Sequence, residues 1–171
     1  EDVAIDYRET APGAITPDIF LGPDGKPDTD KSRNSALGIG GPGTVAGLAL
    51  ALEKYGSGRF TLAQILKPSI ELARDGFVVA DDMADTLSDM YRRMGRWPNS
   101  AKALSRSDGT PLKEGDRLIQ ADLAATLSAI ANQGPRGFYE GPVAERLAKA
   151  DPGGPEGEIL GRHVQRRFKR H

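Results

Sequence analysis

Gly41-Pro42-Gly43-Thr44-Val45-Ala46-Gly47 is the stretch on which the reading of this chain turns. Glycines flank a proline, and Thr44 then opens a run in which Val45, Leu48, Ala49 and Leu52 recur on one face. That period predicts a helix, with Thr44 as an N-cap accepting from a free helical N–H and Gly56 as a left-handed stop. Just upstream, Gly38-Ile39-Gly40-Gly41-Pro42-Gly43 has the spelling G-x-G-x-x-G. A dinucleotide-binding turn of that spelling follows a buried strand and holds a pyrophosphate on its N–H groups. Here Ser32-Arg33-Asn34-Ser35 is too polar for such a strand, and Pro42 removes a donor from the cradle. The glycines are better read as backbone packing: they admit close approach and positive φ, letting the chain turn sharply into the helix.

On the N-terminal side, Val3, Ile5 and Tyr7 alternate with Ala4 and Asp6, which predicts a short strand ending at Arg8. From Arg8 to Pro42, turn-forming runs such as Pro23-Asp24-Gly25 and Lys26-Pro27-Asp28 predict a long loop. On the C-terminal side, Thr61 caps a second helical run through Asp75, with Gly76 as the exit and Pro68 expected to kink or split it. Asp81 is read as the cap of a third helix carrying Met83, Leu87 and Met90 on one face. A helical turn over Asn99 to Leu104 and a tight turn at Asp108-Gly109 follow. Asp122 caps a helix with Leu123, Leu127 and Ile130, closed by Gly134, and another begins with Pro142 at its first position and carries Val143 and Leu147. The result is an α+β segment, mainly helical, with one or two strands and no internal repeat.

At 171 residues the chain has the length of one domain, able to bury roughly 70% of its unfolded surface if compact. Hydrophobic residues make up 38%, charged residues 27%, and the formal net charge is -1, which favours neither a polyanionic partner nor wholesale disorder. No apolar run is long enough to span a bilayer, and no basic segment leads an apolar stretch at the N-terminus. The absence of cysteine excludes disulfides, thiolate metal sites and cysteine nucleophiles. The two histidines, His163 and His171, both lie near the end, so the body offers no Ser/His/Asp triad or histidine metal cluster. Beginning at Glu1 immediately before a strand, the chain reads as the interior of a longer protein.

Ile5-Asp6-Tyr7-Arg8-Glu9-Thr10-Ala11-Pro12 and Gly41-Pro42-Gly43-Thr44-Val45-Ala46-Gly47 together resemble the large subunit of the γ-glutamyltranspeptidases. So do Leu66-Lys67-Pro68-Ser69-Ile70-Glu71-Leu72-Ala73-Arg74-Asp75-Gly76-Phe77-Val78-Val79, Gly115-Asp116, Gln120-Ala121-Asp122-Leu123-Ala124 and Gly137-Phe138-Tyr139-Glu140-Gly141. The resemblance covers residues 2 to about 150 and implies a partial large-subunit domain over 1–150. It implies that the parent is an N-terminal-nucleophile hydrolase with an αββα sandwich, cut into two subunits. The freed threonine would then act as nucleophile, with its own α-amine as base. Nothing here resembles the small subunit that carries this threonine. The resemblance therefore implies a fragment without catalytic residues of its own, partnered by the small catalytic subunit of the same precursor. The implied substrates are glutathione and related γ-glutamyl amides, with no metal or organic cofactor, no nucleic acid and no membrane partner. The implied location of the parent is periplasmic or secreted. A cephalosporin-type acylase on the same scaffold is the alternative enzyme, and a non-catalytic helical interaction protein the alternative from another class.

Arg8 is the candidate substrate-binding residue. A guanidinium is planar, permanently charged and able to hold a carboxylate through two parallel hydrogen bonds. By resemblance it clamps the α-carboxylate of the γ-glutamyl group; the competing reading is a surface pair with Asp6 or Glu9. Asp75, Asp81, Asp82 and Asp85 invite a metal or acid/base reading, but helix ends explain most of them, with Asp82 and Asp85 in a first turn. Trp97 before Pro98 is read as a packing residue in preference to a stacking platform. From Asp151 the composition turns Gly/Pro-rich and then basic, so 151–171 is read as a tail, disordered or out of frame.

Overall fold

The computed structural model describes residues 2–11 and 15–149. The expectations for the tail after Asp151, including both histidines, lie outside the described residues. Two compact units emerge, one drawn from Glu1–Gln64 and Ala129–His171, the other from Ile65–Ser128.

In the first unit the alternating residues 3–7 form no strand, and Val3 and Tyr7 are exposed. Alternation is necessary for a half-buried strand, but a strand also needs a ladder partner. Near the segment's end that pairing is a single antiparallel bridge, Thr10 with Gly41. The expected long loop contains helix α1 (Thr29–Asn34), whose N-cap Asp28 accepts from the Lys31 N–H at 2.9 Å, and a 3-10 turn over Ala36–Gly38. Helix α2 (Thr44–Tyr55) follows the Gly-rich loop as expected, with two corrections. Gly43 occupies the N-cap and Thr44 is already helical, with no side-chain cap bond. Gly56 ends the helix in extended backbone, its N–H donating to the Leu52 carbonyl at 3.0 Å, so no left-handed residue is used.

The second unit contains most of helix α3 (Leu62–Asp75), strand β1 (Phe77–Val78), helix α4 (Asp81–Met94), helix α5 (Pro98–Leu104) and strand β2 (Arg117–Leu118). Thr61 and Gln64 form a reciprocal capping box at the start of α3. The Gln64 N–H donates to Thr61 Oγ1 at 3.2 Å, and the Thr61 N–H to Gln64 Oε1 at 2.8 Å. A single helix runs through Pro68, which therefore does not split it: one lost donor leaves the rest of the ladder to hold. Gly76 exits with φ 74, and a side chain there would also strike the Leu118 carbonyl, so glycine is required twice over. Helix α4 is capped at Ala80, and Asp81 and Asp82 sit in its first turn, where negative charge is favourable; Asp85 lies beyond it.

Strands β1 and β2 pair antiparallel, Phe77 opposite Leu118 and Val78 opposite Arg117. The core beside them is Val79, Leu87, Leu112 and Leu118, packed with Phe77, Ala84 and Leu104. Of the apolar face expected on α4, Leu87 is buried, Met90 half-buried and Met83 exposed. The expected turn at Asp108-Gly109 is present: Gly109 N–H donates to Arg106 O at 3.0 Å and Arg106 N–H to Thr110 O at 2.8 Å.

Helix α6 (Ala121–Gln133) starts one residue before Asp122, which lies in its first turn and is not the cap. Gly134 follows α6 with φ 62. The first unit is completed by α7 (Arg136–Tyr139) and α8 (Gly141–Lys149), with Pro142 second in α8 and Val143 and Ala144 buried. The molecule is α+β and mainly helical, and its one sheet among the described residues has two strands.

Candidate substrate-binding site

The segment Asp6–Thr10 lies against the Gly-rich loop and the start of α2. A Cβ on Gly43 would overlap the Tyr7 carbonyl, and one on Gly47 would overlap the Tyr7 side chain. A Cβ on Gly40 would press into Glu9 at 2.5 Å. Close approach is therefore what these glycines provide. None of Gly38, Gly40, Gly41, Gly43 and Gly47 adopts positive φ, so that part of the expectation falls. The Gly41 N–H donates to the Thr10 carbonyl at 3.1 Å, so Arg8 sits between two anchored points, Tyr7 and Thr10.

The Arg8 backbone N–H donates to Asp6 Oδ1 at 3.0 Å. Its side chain is 82% exposed and pairs through Nε with Glu9 Oε1 at 3.0 Å. Both neighbours named by the surface-pair reading are thus engaged, Asp6 by the backbone and Glu9 by the side chain. An exposed pair of this kind contributes about 0–1 kcal/mol. A guanidinium has five donors, more than one carboxylate can use.

Sequence reasoning missed a second group that holds this loop. The Tyr139 hydroxyl donates to the Pro42 carbonyl at 2.8 Å and accepts from the Ala46 N–H at 3.2 Å, across 97 and 93 residues of chain. Only the motif Gly137-Phe138-Tyr139-Glu140-Gly141 hinted that Tyr139 mattered.

The other candidates do not converge. Asp75 is held by Arg74 through two bonds of 2.7 Å, and that guanidinium keeps its carboxyl below the usual carboxylate range. Asp81 and Asp82 accept from the Asp82 and Met83 N–H groups within their own helix turn. Among the described residues, no group of three or more His, Cys, Asp or Glu side chains could hold a metal ion. Trp97 is 39% exposed, with the Arg96 guanidinium 4.1 Å from its ring centroid. The fork from Arg106 to Asp116, at 2.5 and 2.9 Å, was not foreseen. It holds the Asp116 carboxyl low, with the Lys113 N–H assisting, and ties the hairpin back to the start of β2. A depression of about 370 Å³ is lined by Phe77, Val78, Ala80, Asp82, Met83 and Thr86. Its polar groups are spent locally, since Asp82 accepts from Met83 and Thr86 donates to the Asp82 carbonyl.

Residues 1–155 match the family model for gamma-glutamyltranspeptidase. The chain belongs to the γ-glutamyltranspeptidase family. It is 47% identical over 146 residues to the glutathione hydrolase proenzyme of Escherichia coli, covering 85% of this chain and 25% of that protein. It is 36% identical over 151 residues to the Acylase ACY 1 proenzyme of a Pseudomonas species, covering 85% of this chain and 26% of that protein. The crystal structure of Helicobacter pylori gamma-glutamyltranspeptidase superposes with a TM-score of 0.81 at 35% identity, covering 92% of this chain and 46% of that chain. The chain thus spans about a quarter of the length of these curated relatives, 25% and 26%. No helix among the described residues is long and apolar enough to cross a membrane.

Proposed function

We propose that this chain supplies part of the substrate pocket of an enzyme that transfers or hydrolyses the γ-glutamyl group of glutathione and related γ-glutamyl amides. The observation that carries the reading is the clasp of Asp6–Thr10 onto the Gly-rich loop, which fixes the backbone on both sides of Arg8 and leaves its guanidinium open to solvent. In this reading the donor's α-carboxylate displaces Glu9 and takes a two-pronged bond from Arg8. A threonine outside this chain attacks the γ-carbonyl, its own amine takes the proton, and the amine half departs. Water or an acceptor amine then releases the acyl group. The small catalytic subunit of the same precursor is the partner, and the parent works in the periplasm or outside the cell. The 47% identity to a glutathione hydrolase proenzyme supports this reading over the acylase, whose relative stands at 36%.

The test is Arg8→Ala in the full gene product. With γ-glutamyl-p-nitroanilide, kcat/KM should fall by about 30-fold to several thousandfold, and Arg8→Lys should lie between wild type and Ala. 4-Aminobutanoyl-p-nitroanilide, which lacks the α-carboxylate, should be a poor substrate indifferent to the substitution. Equal slowing of both donors would make Arg8 structural. Turnover of glutaryl-cephalosporin in preference to the γ-glutamyl donor would favour the acylase.

A further inference from the structure

Helix α2 begins without a side-chain cap from its own flank. Its first-turn N–H groups still need acceptors. The Ala46 N–H finds one in the Tyr139 hydroxyl, which simultaneously donates to the Pro42 carbonyl. One hydroxyl therefore spans the turn from the loop into the helix. Tyr139 is itself difficult to move: it is 4% exposed and stands edge-on to Phe138 with centroids 4.9 Å apart. Gly137, two residues earlier, lies so close to the Ala129 carbonyl that a Cβ would overlap it. The same segment also meets Tyr7, through Gly43 and Gly47.

We propose that Tyr139 is a positioning residue for Arg8. Its hydroxyl fixes the Pro42–Ala46 turn, the turn seats Tyr7, and Tyr7 sets the direction in which the next residue presents its guanidinium to the donor's α-carboxylate. The inference rests on the clamp reading of Arg8. It adds a residue that touches neither substrate nor Arg8 and acts through the loop.

The experiment is a double-mutant cycle in the full gene product, using Tyr139→Phe, Arg8→Ala and both together, with γ-glutamyl- and 4-aminobutanoyl-p-nitroanilide as donors. Tyr139→Phe keeps the ring and its burial and removes only the hydroxyl. It should raise KM for the γ-glutamyl donor by about 3- to 10-fold, the scale of a lost hydrogen bond, with kcat within about twofold. The donor without the carboxylate should not respond, and in the Arg8→Ala background the effect should vanish. Equal loss on both donors, persistence of the effect without Arg8, or no effect at all would overturn the proposal. If Arg8→Ala is donor-selective while Tyr139→Phe is not, only the positioning role falls. If Arg8→Ala is itself unselective, the clamp falls and the positioning role with it. Should Tyr139→Phe fail to mature, Gly47→Ala displaces Tyr7 from the same seat while otherwise favouring a helix. The same selective rise in KM is expected there, and an unselective loss would count against the proposal.

Discussion

Replacing Val79 by alanine should cost the isolated chain several times more stability than the same change at its neighbour Val78. Val79 is 0% exposed and packs with Leu87, Leu112 and Leu118, whereas Val78 is 58% exposed. The backbone of Val79 is also pinned: its N–H donates to Asp116 O at 2.8 Å and its carbonyl accepts from Gly115 N–H at 2.9 Å. The site therefore has little freedom to collapse around a deletion. Two carbons at about 0.8 kcal/mol each give about 1.6 kcal/mol of lost transfer energy. The cavity left behind brings the total to about 2 to 3 kcal/mol. Val78→Ala should stay within about 0.5 kcal/mol. In urea, with a slope of about 2 kcal/mol/M, Val79→Ala should lower the midpoint by about 1 to 1.5 M. Circular dichroism reads the transition, and the single tryptophan, Trp97, reports from the same unit. Equal losses at the two positions would refute the assignment of Val79 to the core and Val78 to the surface.

Acid should destabilise the fold in a defined window. Asp116 is held low by Arg106, Asp75 by Arg74 and Asp108 by the Thr110 hydroxyl, so each contributes stability above the unfolded carboxylate value near pH 4, lost as pH falls through its lower folded value. Urea midpoints should thus be unaffected by these groups above about pH 5 and decline below about pH 4, with Asp116→Asn making the decline shallower; an unchanged acid slope in that variant would contradict the Arg106 fork. At the start of α3, Thr61→Ala should cost about 1 kcal/mol in thermal unfolding. Adding Gln64→Ala should then cost less than it does alone, because the two side chains cap each other. Purified chain, freed of host enzyme, should not turn over γ-glutamyl-p-nitroanilide, since in the proposed reading the nucleophile is a threonine outside this chain; measurable turnover would place a reaction centre within it.

What the sequence determined by itself was local. The apolar period announced α2, α3, α4 and α6, and Thr61 and Gly76 marked the ends of α3 because capping and positive φ depend on neighbouring residues. The Gly-rich loop could be read as close packing, though not what packs there. Of the caps placed at Thr44, Asp81 and Asp122, the first two proved to be the first residues of their helices and the third the second; the observed caps Gly43 and Ala80 bring no side-chain bond, so no polar residue marks them in the sequence. The strand over residues 3–7 failed for a different reason: alternation describes one segment, and a strand exists only with a partner's hydrogen bonds. Only the tertiary structure could decide that Tyr7 rests on Gly43 and Gly47, that Glu9 pairs with Arg8, and that the α2 start is held by a hydroxyl 93 residues away. No period or spacing records a bond across that distance, because its two ends are far apart in the chain and meet only in the folded structure.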